Sequence, residues 1–116
     1  MNRSTGQIEA YISEEITKFE REYMGRGPHR TRTYVMDDIV VVRLEGVLTP
    51  AEQQLAKDEA GVKLLKEVRA TLIEQAHDRL KEIVREGTGR EVLCMHSDIS
   101  ARRGERVVVF TLRPEA

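Results

Sequence analysis

Apolar residues open the chain at helical spacing: Ile8, Tyr11, Ile12, Ile16, Phe19 and Tyr23 recur every three or four positions, as one face of a 3.6-residue repeat requires. Glu9, Glu14, Lys18, Glu20 and Arg21 take the other side, which makes the segment amphipathic. Ser4 and Gln7 stand at capping-box spacing and Gly25 can supply the left-handed residue at which helices stop. The pattern predicts a helix over 7–24.

The period then changes from helical to alternating. Thr31 to Met36 and Ile39 to Glu45 are rich in β-branched residues around Asp37-Asp38, which predicts a β-hairpin. Val40, Val42 and Leu44 share one face of its second strand, and Ile39, Val41 and Arg43 share the other, because strand side chains alternate. Both faces are partly apolar, so both call for cover.

Thr49-Pro50-Ala51-Glu52 combines an N-cap threonine, a proline at the first helical position and a glutamate three after the cap. A short helix is predicted from Pro50, with a weak break at Asp58-Glu59-Ala60-Gly61. A long helix follows to about Glu86, its stripe formed by Leu65, Val68, Leu72, Ala76, Leu80 and Ile83 and widened by Leu64, Ile73 and Val84. Gly87-Thr88-Gly89 ends it. Glu91 to Ile99 and Arg106 to Leu112 return to the β pattern across a glycine-containing loop. The expected fold class is α+β, in the order α-β-β-α-α-β-β: one domain over 1–116 with a four-stranded, mainly antiparallel sheet packed against two long helices as a two-layer sandwich.

Composition narrows the function classes. The chain has 40% hydrophobic and 34% charged residues, so it should fold behind a heavily charged exterior. Its net charge is -1, which gives no global field for nucleic acid or an anionic membrane. The single cysteine, Cys94, excludes an intramolecular disulfide, and neither an apolar leader nor a spanning segment is visible. A cytoplasmic protein without direct membrane insertion is expected.

Cys94, His96 and Asp98 are the strongest catalytic candidates, a nucleophile, a base and a carboxylate at alternate positions of one strand. Residues four apart on a strand lie about 13 Å apart, too far for one zinc ion or one compact triad. His77 reads as a helix-flank residue beside Ile73 and Leu80. No enzymatic activity, metal or cofactor is expected.

Arg26, His29, Arg30 and Arg32 fall within seven residues that contain no acid, beside Gly25 and Gly27. They form the candidate anion- or partner-binding loop. The glycine pattern lacks the spacing and the Lys-Ser/Thr pair of a phosphate loop. Arg102, Arg103 and Arg106 make a second basic cluster in the last hairpin loop, with no aromatic neighbour for base stacking. Nucleic-acid binding is therefore only the alternative reading, as a small-anion or nucleic-acid module built on the first loop.

Three strings, Tyr23-Met24-Gly25-Arg26-Gly27-Pro28, Arg43-Leu44-Glu45-Gly46-Val47-Leu48-Thr49-Pro50-Ala51-Glu52 and His96-Ser97-Asp98-Ile99-Ser100, occur here in this order. In them the chain resembles the MpsC-like family of small bacterial proteins, with similarity from about Gln7 to Leu112. The resemblance implies a link to a sodium-translocating, membrane-potential-generating system. It brings no catalytic residues. For a chain without a spanning segment, it implies an accessory or regulatory role beside membrane transport subunits. A homodimer is also expected, because a helix over 59–86 would be about 42 Å long at 1.5 Å per residue while a seven-residue strand covers only about 24 Å.

Overall fold

The computed structural model describes residues 3–115; Met1, Asn2 and Ala116 lie outside it. Helix α1 (Thr5–Met24) begins where the Ser4 hydroxyl accepts the Gln7 N–H at 3.1 Å and the Gln7 side chain accepts the Ser4 N–H at 2.8 Å. It ends on Gly25, whose φ of 86° is left-handed. Strands β1 (Arg30–Met36) and β2 (Ile39–Glu45) form the expected hairpin. The short helix α2 (Pro50–Leu55) starts from the Thr49–Glu52 capping box.

The expected long helix is two helices. Helix α3 (Glu59–Gln75) stops at Ala76, and α4 (His77–Thr88) begins immediately after it. The Ala76 N–H lies within reach of the Leu72 and Ile73 carbonyls, 3.2 and 3.1 Å away, so the hydrogen-bond ladder tightens there. Neither glycine nor proline marks the break. Strands β3 (Val92–Ser100) and β4 (Glu105–Leu112) close the chain.

All four strands pair antiparallel in the order β1-β2-β4-β3. Val40, Val42, Leu44, Val108, Phe110 and Leu112 form the inner face, and Ile12 and Ile16 of α1 and Leu80, Ile83 and Val84 of α4 pack on it. This is the expected two-layer α+β sandwich. The outer face carries Tyr34, Ile39, Val41, Val107 and Val109, and no second layer covers it among the described residues. No described helix is long and apolar enough to cross a membrane.

Two charges depart from expectation. Glu20, assigned to the polar side of α1, is 2% exposed, and Arg106, which opens the expected last strand but groups in the sequence with the basic cluster of the hairpin, is buried at 2% exposure in β4. They pair with each other. The hydrophobic stripe had placed Glu20 outward, but α1 is covered on a wider arc than that stripe suggests. At its N-terminal end α1 also shields the β1 edge: the Glu9 carboxylate accepts the Val35 N–H at 2.9 Å, and the hydroxyls of Ser13 and Thr17 meet those of Thr33 and Thr31.

Candidate functional site: a cleft between α3 and the β3 edge

Helix α3 stands beside the outer strand β3 rather than over the middle of the sheet, and α2 and the β3–β4 hairpin close one end. The space between them is a cleft of about 1440 Å³. Val62, Ala70, Ile73, Met95 and Ile99 contribute apolar surface, while Lys57, Lys63, Lys66, Arg102 and Arg103 bring positive charge. Asp58 and Glu59 bring negative charge at the same end, and Glu67 and Glu74 bring more along α3. The Asp58 carboxylate is already engaged as the N-cap of α3, accepting the Gly61 N–H at 2.7 Å.

Two clamps hold this shape. Arg69 is 4% exposed; its Nη2 donates to the Val47 carbonyl at 2.9 Å and to Glu52 Oε1 at 2.7 Å, and its Nε donates to Glu52 Oε2 at 2.8 Å. This bidentate contact ties α3 to α2 and to the chain leaving β2. Burial by itself pushes Glu52 up, but the hydrogen bonds from Arg69 and Thr49 and the Arg69 charge outweigh it and hold the carboxyl below its ordinary value. The second clamp crosses the cleft: Lys66 Nζ of α3 lies 3.3 Å from Asp98 Oδ1 of β3. That same oxygen accepts the Ile99 backbone N–H at 2.8 Å. The Ile99 N–H first, and then Lys66, keep Asp98 below the usual carboxylate range.

Arg106 borders the hairpin end from beneath. Its Nη2 faces Glu20, while its Nε and Nη1 have no hydrogen-bond partner among the described residues. Burial pushes its pKa down to about 10, which still leaves it cationic at neutral pH.

Of the four residues expected to form a binding loop, Arg26 and His29 are brought together, while Arg30 and Arg32 point to other partners. Arg26 Nη1 donates to the Leu48 carbonyl at 2.7 Å, and its Nη2 lies 3.2 Å from His29 Nε2, so this pair ties the end of α1 to the loop before α2. Arg30 and Arg32 sit on the outer face of β1, the first 4.0 Å from Glu45 and the second 3.5 Å from the Tyr34 hydroxyl. Cys94 Sγ and His96 Nε2 are 3.7 Å apart, but Asp98 is turned to Lys66. No group of three or more His, Cys, Asp or Glu among the described residues is placed to hold a metal. His77 opens α4, half-buried, at the far end of the cleft.

The cleft itself was not visible in the sequence. It depends on the offset of α3 from the sheet, and Lys63 and Lys66 look like any solvated helix face until β3 is set opposite them.

Residues 4–114 match the family described as "Na+-translocating membrane potential-generating system (MpsC)". The chain belongs to the MpsC family. Among similar proteins, the uncharacterized protein YbcI of Bacillus subtilis (strain 168) is 41% identical over 112 residues, covering 97% of this chain and 90% of YbcI. The uncharacterized protein YrhF of the same strain is 29% identical over 96 residues, covering 82% of this chain and 79% of YrhF. No solved structure matches. The match spans all eight elements of the fold, including both walls of the cleft.

Proposed function

We propose that the protein is a non-enzymatic accessory or regulatory component that acts by binding at the cytoplasmic side of a membrane cation-translocating, potential-generating system. The observation that carries this reading is membership of a family described by that system. The α3–β3 cleft supports the binding part, since it joins apolar surface to a charged rim without an assembled nucleophile, base and orienting group. The protein works as a homodimer in this reading, with its uncovered outer sheet face as the contact.

Affinity capture from detergent-solubilised membranes of the native host tests it. Recovery of a cation-transport subunit is expected, and Cys94→Ser should leave recovery unchanged. The reading is abandoned if no membrane subunit is recovered and the protein instead binds RNA or polyphosphate with steep salt dependence, lost on charge reversal of Arg26, Arg30 and Arg32.

A further inference from the structure

The two edges of the sheet are treated differently. At β1, α1 lies along the edge and Glu9 takes the outward Val35 N–H. At β3 no strand follows, and the outer edge faces the cleft. Backbone groups of alternate residues in an antiparallel ladder point to opposite sides. The Ile99 N–H is turned away from β4, to its neighbour's carboxylate, so Ser97 and Met95, two and four residues earlier, present their N–H and C=O groups the same way. Their side chains line the cleft as well. An edge strand with free backbone groups, set beside a helix with a groove between them, is the arrangement in which an extended peptide adds as a further strand.

Asp98 indicates what chemistry this edge accepts. Its carboxylate is held by an edge-strand N–H and by the Lys66 ammonium of the opposite wall. An acceptor on an incoming strand would use those two donors. Asp98 thus guards the edge in the absence of a ligand, because an inward or capping charge on an edge strand discourages indiscriminate pairing. Around it, Lys63, Lys66, Arg102 and Arg103 offer cations to an acidic occupant, against Glu59 and Glu67 on the α3 wall, and Val62, Ile73 and Met95 favour apolar side chains at every second position. The unpartnered Nε and Nη1 of Arg106 lie below the same end.

We propose that the groove between α3 and β3 binds an extended, acidic segment of a partner protein by strand addition to the free edge of β3. The segment places alternate apolar residues against Val62, Ile73 and Met95, and its carboxylates displace Asp98 from Lys66 and the Ile99 N–H beside Arg102 and Arg103. This deepens the binding reading above and rests on it only in that the protein acts through a protein partner.

The test uses the full chain and a displayed library of random linear peptides. Enriched peptides should be acidic and β-branched, and should slow amide exchange at Met95, Ser97 and Ile99. Ser97→Pro removes an outward N–H while sparing the β4 ladder, as an edge position allows. Lys66→Glu reverses the charge of an exposed wall residue and provides a second variant should the proline disturb folding. Each should weaken the selected peptides roughly tenfold or more, the scale expected for a lost charge-assisted hydrogen bond. Asp98→Asn should tighten them. The proposal is overturned if no peptide is enriched, if the enriched peptides lack acidic residues, or if folded Ser97→Pro and Lys66→Glu bind them as wild type does. If wild type and both variants capture a membrane subunit equally, the groove proposal fails and the accessory reading stands. If peptides bind the groove but no membrane subunit is captured, the reverse holds.

Discussion

Glu20 of α1 and Arg106 of β4 meet as an ion pair with both side chains sealed from water, each 2% exposed. The pair bridges the helix layer to the central part of the sheet, where every neighbouring inward position on β4 is apolar. Taking two charges out of water offsets much of their attraction, so the pair itself adds little net stability. Breaking it is another matter. Glu20→Ala should destabilise the fold by about 3–5 kcal/mol by leaving a buried guanidinium uncompensated. The double variant Glu20→Leu/Arg106→Met should recover most of that loss. Urea midpoints of the three proteins check this; equal losses in the single and double variants would contradict it.

Glu52 supplies the pH dependence that the structure makes most specific. Its carboxyl is held below the ordinary 4.5, so in the window between the folded and unfolded values the unfolded chain binds more protons. Stability therefore rises with pH through that window. The contribution is present above 4.5 and disappears as the pH falls through the lower folded value. Arg69→Met removes the main hydrogen-bond donor and should cost about 1–3 kcal/mol near neutral pH. It should also flatten the acid limb of the stability curve. Urea titrations of wild type and variant across the acid range measure both effects.

Gly61 reverses an ordinary helix rule. Alanine normally improves a helix interior by about 1 kcal/mol over glycine. A Cβ at Gly61, however, would overlap the Leu55 carbonyl oxygen, a backbone atom that can yield only if α2 moves off α3. Gly61→Ala should destabilise by about 1–3 kcal/mol, as overpacking does. Gly6→Ala is the contrasting substitution: a Cβ there meets nothing within 4 Å, and a gain of about 0.4–1 kcal/mol is expected. Thermal melts of the two variants should move in opposite directions.

The fold was legible because its local signals agree with its packing. The Ser4 and Thr49 caps, the Asp37-Asp38 turn and the alternation Val40-Val42-Leu44 each act within a few residues, and each reappears in the structure. What was not legible depends on distant partners. Glu20 looks solvent-facing on a helical wheel and Arg106 looks like part of a basic loop, and only their juxtaposition across the core gives either a reason to be buried. Ala76 carries no breaker chemistry, so the division of the long helix is a tertiary effect. The first arginine loop had charge density but not convergence: Arg26 is committed to the Leu48 carbonyl, whereas the cleft cations are spread over α3 and the last hairpin.

The outer sheet face bears on self-association. Strand register places Tyr34, Val41, Val109 and His96 in one row and Met36, Ile39, Thr111 and Cys94 in the next. At the opposite end, Arg43 pairs with both Glu45 and Glu105, at 3.0 and 2.7 Å, so the charges there are largely satisfied within the chain. The apolar rows are not covered: Tyr34, Met36 and Ile39 are 39%, 55% and 37% exposed. Two such faces pack about 10 Å apart with strands nearly aligned, and a two-fold axis along the strands sets β2 of one copy over β4 of the other, matching the apolar rows. Light scattering at micromolar concentration should give the mass of a dimer, and Val109→Lys should shift it to a monomer. Leu64 and Val68 form a competing exposed stripe on α3, at 51% and 48%. Val68→Glu should leave the dimer intact. A monomeric wild type would end the proposal, and a dimer abolished by Val68→Glu but not by Val109→Lys would move the interface from the sheet to α3.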